Sequence, residues 1–149
     1  NNIGRVQELR QHYSDALFYY EKSLKIQQKA LSSKHLSLAT TYNSIAEMHR
    51  LTGDYSSSLV YYENTLEIQT KSLPPNHSSL AESHHNIAMV LEGLHRYDEA
   101  IEHALCALNI IRHSFEPNQS EVEKYKKYFD EILLIPECSK LTKAKNINE

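Results

Sequence analysis

Residues 59–69 read Leu59-Val60-Tyr61-Tyr62-Glu63-Asn64-Thr65-Leu66-Glu67-Ile68-Gln69, and the chain writes this stretch three times. An earlier copy is Leu17-Phe18-Tyr19-Tyr20-Glu21-Lys22-Ser23-Leu24-Lys25-Ile26-Gln27, and a looser later one is Ile101-Glu102-His103-Ala104-Leu105-Cys106-Ala107-Leu108-Asn109-Ile110-Ile111. The offset is 42 residues each time. A fixed period of this size marks a stacked array, in which each unit leaves an apolar face for its neighbour to cover. Such arrays bind other chains more often than they perform chemistry.

Each copy reads as two helices joined by a turn. In the second, a helix over 37–51 leads through Gly53-Asp54 into a helix over 56–73, which Pro74-Pro75 ends because neither proline can donate to the helical ladder. In the third, a helix over 79–92 opens on Ser79 with Glu82 three residues on, a reciprocal capping pair. Gly93 closes it, and a partner helix follows over 98–113. In the first copy, residues 1–10 read as the back part of a helix, a turn falls at Gln11–Tyr13, and a second helix covers 14–31 with Leu17, Tyr20, Leu24 and Leu31 on one stripe. Ser14, Ser56 and Asp98 share one position of the period and are the expected caps of the second helices. A last helix over 120–134, opened by Ser120 and Glu123, carries Val122, Tyr125, Phe129, Ile132 and Leu133 at helical spacing, suited to cover the open end of the stack. Residues 135–149 are too poor in apolar side chains to order themselves and read as a flexible tail.

Composition agrees with an all-helical chain. Of 149 residues only 3 are Gly and 4 Pro, and no strand-like alternation bounded by turn signals appears. A formal charge of −3 and a sequence pI of about 6.3 argue against a nucleic-acid module, which needs a concentrated basic face. The longest apolar runs, Ile87–Leu91 and Ile132–Ile135, are too short to span a bilayer. Two cysteines, Cys106 and Cys138, make no disulfide framework, so a reducing, cytoplasmic setting is expected.

The run Tyr42, Ile45, Ala46, Tyr55, Ser58, Tyr62, Thr65 resembles the aromatic, large, small, aromatic, small, aromatic, small signature of the tetratricopeptide repeat. Ile3, Gly4, Tyr13, Ala16, Tyr20 and Ser23 echo it in the first copy, and Ile87, Ala88, Tyr97, Ala100, Ala104 and Ala107 in the third. The 42-residue unit, with linkers such as Leu73-Pro74-Pro75-Asn76-His77, resembles the kinesin light chain subclass rather than the commoner 34-residue repeat. The resemblance implies an all-α superhelical solenoid of antiparallel helix pairs with a C-terminal capping helix. Residues 1–134 would form it, with a partial repeat over 1–36, repeats over 37–78 and 79–119, and the cap over 120–134. Small residues at Gly4, Ala46 and Ala88, and at Ala16, Ser58 and Ala100, would let the paired helices cross closely.

The resemblance also implies that the first helices of successive units line a concave groove. On the helix over 37–51, Asn43, Glu47 and Arg50 stand at i, i+4 and i+7, on a face apart from Tyr42, Ile45, Ala46 and His49. Their counterparts are Asn1, Arg5 and Glu8 in the first unit and His85, Met89 and Glu92 in the third. These nine are the candidate peptide-binding residues, since an extended peptide needs hydrogen-bond partners for its backbone. The expected function is a non-enzymatic protein-interaction scaffold, a kinesin-light-chain-like adaptor for a protein or peptide partner. The alternative is the targeting or regulatory portion of an enzyme whose catalytic domain precedes residue 1. A third reading has the N-terminal face around Arg5–Leu9 pair with another copy.

No catalytic, cofactor or metal site is expected. His95, Glu99 and His103 stand at i, i+4 and i+8, but no closing set of zinc-ligand spacings joins them, and His49 and His84 fall at positions suited to partly buried, hydrogen-bonded histidine. Cys106 sits among Ala104, Leu105, Ala107 and Leu108 and reads as inert packing.

Overall fold

A computed structural model describes residues 2–138, and every regular element among them is a helix. These are α1 (Asn2–Ala30), α2 (Leu36–Leu51), α3 (Tyr55–Ser72), α4 (Ser78–Gly93), α5 (Tyr97–Arg112) and α6 (Gln119–Leu133). Two compact units result, Asn1–Ser72 and Leu73–Glu149.

In the first unit, α2 and α3 form a helical hairpin against which the second half of α1 packs. Leu24, Leu38, Ala39, Ile45 and Ile68 are its buried centre, with Leu17, Tyr42 and Tyr61 against them. The hairpin is tight because small residues meet where the helices cross. The Ser58 hydroxyl donates to the Ala46 carbonyl at 2.7 Å, and the Thr65 hydroxyl to the Ala39 carbonyl at 3.3 Å. Both hydroxyls are fully buried, so these bonds also satisfy groups that water cannot reach. The α1–α2 seam carries its own polar tie, Thr41 donating to the Gln27 side-chain carbonyl at 2.7 Å.

In the second unit, α4 and α5 repeat the hairpin, with Ala88 and Ala100 fully buried. α6 covers it: Tyr125 packs with Ala81, Leu108 and Ile111, and Val122 and Phe129 flank them. Beyond α6 the chain turns so that Cys138 is buried, its N–H donating to the Ile135 carbonyl at 2.9 Å. Asn1 and the tail from Ser139 onward lie outside the described residues.

Three expectations are corrected. α1 is one continuous helix across Gln11–Tyr13, where a turn was expected. The position equivalent to Gln11 is Gly53 in the second copy, at φ 83°, and His95 in the third, at φ 58°. The left-handed region costs an ordinary residue roughly 1 kcal/mol, and nothing at Gln11, His12 or Tyr13 ends a helix, so local propensity carries α1 straight through. The caps also differ. α3 is capped by Asp54, which accepts from the Ser57 N–H at 3.2 Å, Ser14 is internal to α1, and α5 starts without a side-chain cap. α2 and α4 are capped by His35 and His77, whose Nδ1 atoms accept from the N–H of Ser37 and Ser79 at 3.2 and 3.1 Å, and α6 by Asn118, which accepts from Ser120. An imidazole Nδ1 stands as many bonds from Cα as an Asn Oδ1, so it reaches the same amide. Finally, Cys106 is exposed rather than packed.

Candidate functional site

The hairpin crossing turns Ile45 and Ala46 inward and leaves Asn43, Glu47 and Arg50 on the partly exposed side of α2. Glu47 is the hub. The Tyr62 hydroxyl, arriving from α3, donates to its Oε2 at 2.7 Å, while Arg50 Nε and Nη2 donate to Oε2 and Oε1 at 2.8 and 2.6 Å. This two-pronged guanidinium–carboxylate geometry is the strong, directional form of the pair. Arg50 holds the Glu47 carboxyl below the usual carboxylate range, Glu47 raises the Arg50 guanidinium in turn, and burial followed by the bond to Glu47 pushes the Tyr62 phenol up. The three groups are therefore locked as anion, cation and neutral phenol. A carboxylate so engaged is no general base, and the arrangement is a rigid polar platform. A guanidinium carries five N–H donors, and Glu47 takes two of Arg50's. Asn43, one turn before Glu47, has no hydrogen-bond partner for its amide among the described residues. Along the neighbouring stripe, His49 pairs with Asp54 at 3.2 Å and stacks on Tyr61, ring centroids 5.6 Å apart.

On α4 the equivalent positions meet α6. The His85 ring is buried against Tyr125 and, edge-on, Tyr128, with centroids 5.0 and 4.7 Å apart. The Tyr128 hydroxyl donates to Glu92 Oε2 at 2.7 Å, the bond that Tyr62 makes to Glu47 in the first unit. Met89 remains partly exposed. Burial, with a smaller contribution from Lys124, pulls the His85 imidazole down to about 4. Its neighbour His84 meets His103 of α5, Nδ1 to Nδ1 at 2.9 Å, and burial followed by the His103 charge pulls it also to about 4. Among the described residues no group of three or more His, Cys, Asp or Glu side chains converges to hold a metal.

Arg5 and Glu8 lie exposed on the N-terminal part of α1, and Asn1 falls outside the described residues. The nine candidates thus separate into an open set on α2, a set on α4 that α6 largely occupies, and a solvated pair on α1. Tyr62 and Tyr128, the donors that fix the acidic members, were not among the candidates. The repeats carried no covariation that pointed to Tyr62: the third copy replaces Glu47 and Tyr62 together, by Met89 and Ala104, but the first keeps the tyrosine as Tyr20 while Glu47 becomes Arg5.

The family profile for the tetratricopeptide repeat matches residues 37–113. The chain belongs to the tetratricopeptide repeat family. A solved structure of a Podosopora anserina protein, described as a kinesin light chain with nearly identical TPR-like repeats, is similar to this tetratricopeptide chain at a TM-score of 0.75 and 20% identity, covering 89% of this chain and 63% of that one. A variant of the same Podosopora anserina protein is similar to the same degree, with 62% of its length covered. This chain therefore spans less than two thirds of the length of those proteins. No curated protein matches it. The fold is all-α, with the helix-pair packing of tetratricopeptide solenoids. Among the described residues no helix is long and apolar enough to cross a membrane.

Proposed function

We propose that this tetratricopeptide chain is a non-enzymatic scaffold that receives an extended peptide segment of a partner protein along α2. The observation that carries the reading is the preorganised platform of Glu47, Arg50 and Tyr62 beside the unpartnered amide of Asn43. Its side chains are already fixed by one another, so a peptide would lose entropy on docking while the scaffold loses little. Asn43 can both donate to and accept from a peptide backbone, and Arg50 has donors left for a peptide carbonyl or carboxylate. Arg5 and Glu8 would extend the surface along α1. His85 and Glu92 serve α6 instead. The interaction module is residues 1–134, and the chain's two cysteines, neither in a disulfide and one exposed, suit a reducing compartment such as the cytoplasm.

The test is capture of peptides from a displayed library of short random sequences, followed by measurement of the recovered peptides against variants. Arg50→Glu and Asn43→Ala, with helix content checked by circular dichroism, should each weaken binding at least tenfold. Unchanged affinity in both would remove α2 as the recognition surface.

A further inference from the structure

In the second copy of the repeat, Ile45 and Tyr62 are 0% exposed, each buried by the hairpin, and in the third Ile87 is likewise 0% exposed. Their first-copy equivalents on the straight α1, Ile3 and Tyr20, are 70% and 37% exposed. Val6 and Leu9 beside Ile3 are about half exposed. The same residue types at the same period are core in one place and solvated in another. What separates them is the turn: α1 runs on where α2 ends and α3 begins.

The internal repeat states what belongs on that surface. Ala46 and Ser58 touch at the α2–α3 crossing, and their equivalents are Gly4 and Ala16. Within one continuous helix these two lie about 18 Å apart along the axis and cannot meet. A glycine inside a helix costs about 1 kcal/mol relative to alanine, whereas at a helix crossing it permits close approach. The polar platform is also repeated, with its charges exchanged. Glu47, Arg50 and Tyr62 become Arg5, Glu8 and Tyr20, two opposite charges and a phenol at identical spacing. A segment with the sequence of residues 3–10 is thus complementary to the face of residues 13–24, and the straight α1 withdraws that segment from its own chain.

We propose that α1 is the open arm of an exchanged dimer. Residues 3–10 of one copy lie antiparallel on residues 13–24 of a second copy, and the second copy's arm returns the contact. The interface is isologous, and each copy completes the helical hairpin that the other's first repeat lacks. Gln11, in place of the glycine that closes the equivalent turn, favours the open arm. The proposal shares Arg5 and Glu8 with the peptide-binding reading but uses no residue of α2, which carries that reading, so either can fail without the other.

Light scattering after size exclusion should give a concentration-dependent species of twice the 17.2 kDa chain mass. The decisive arm uses two chains in a Cys106→Ser background, one bearing only Gly4→Cys and the other only Ala16→Cys. Mixed and oxidised, they should form a disulfide between the unlike chains in preference to either like pair. Gln11→Gly should shift the population toward monomer at least several-fold, and Tyr20→Arg should abolish the dimer while helix content by circular dichroism is kept. A monomer at every concentration, or a dimer in which the unlike chains do not cross-link, overturns the exchange. So does a Gly4→Cys/Ala16→Cys double variant that closes only within its own chain.

Discussion

Tyr62 shows how much a single hydroxyl can hold. Its ring is fully buried, and its O–H ends on a carboxylate that Arg50 already grips. Tyr62→Phe keeps the ring and leaves Glu47 one donor short; a hydrogen bond to a charged group contributes about 1.5–3 kcal/mol, so urea unfolding should show a loss of roughly 2 kcal/mol with the m-value unchanged. The histidines of α4 give the molecule an acid dependence. His84 faces His103, and His85 faces Tyr125, Tyr128 and Lys124; both are pulled down to about 4, against an ordinary value near 6.5. The unfolded chain therefore binds more protons than the folded one between these values. Stability is complete above about pH 6.5, falls as pH drops toward 4, and is not lost further below that by these groups. With partial solvent access discounted, the change is on the order of 1–2 kcal/mol per imidazole. The melting temperature should track it, and His85→Gln should flatten the pH 4–6.5 limb without moving the value at pH 8 by as much.

At the scale of the element, the α2–α3 crossing is the point of least tolerance. Ser58→Val adds bulk where nothing can move aside and strips the Ala46 carbonyl of its hydroxyl donor. Overpacking of this kind costs about 1–3 kcal/mol, to which the lost bond adds about 1, and thermal unfolding should report the sum. The turn before α5 has the opposite character: His95 sits at φ 58°, so His95→Gly should raise stability by about 0.5–1 kcal/mol once its contact to Tyr97 is discounted. These two places also show why some elements were legible in the residues and others were not. α2 to α6 start and stop within a residue or two of expectation, because Gly53, Pro74-Pro75, Gly93 and Pro117 carry chemistry that ends helices whatever surrounds them. The expected turn in α1 was inferred from the period alone, and Gln11-His12-Tyr13 contains no residue that would break a helix. The caps at His35 and His77 are not legible from residue type, because imidazole is seldom the acceptor at a helix start.

For the whole molecule, legibility ended where contact between non-equivalent elements began. The stripe on α2 and α4 was readable from spacing, but that α6 would lay Tyr125 and Tyr128 over the α4 part of it was not, since α6 stands outside the 42-residue period. The consequence is a division of labour between the two units. The first keeps its platform open, and the second spends the same positions on its own cohesion. Truncation after Asn118 should therefore strip cover from Ala81, Leu108 and Ile111. Amide exchange should then accelerate throughout α4 and α5 while α2 and α3 keep their protection, as expected when local units open separately.

The chain contains ten tyrosines and no tryptophan, and two of those tyrosines, Tyr62 and Tyr128, press their hydroxyls onto carboxylates, one in each unit. A phenol bonded to a carboxylate emits weakly, because the excited ring hands its proton to the acceptor. Each unit thus contains its own darkened fluorophore that brightens when its helices part, so that native ultraviolet emission, read with either ring replaced by Phe, follows the melting of the two halves separately and without a dye.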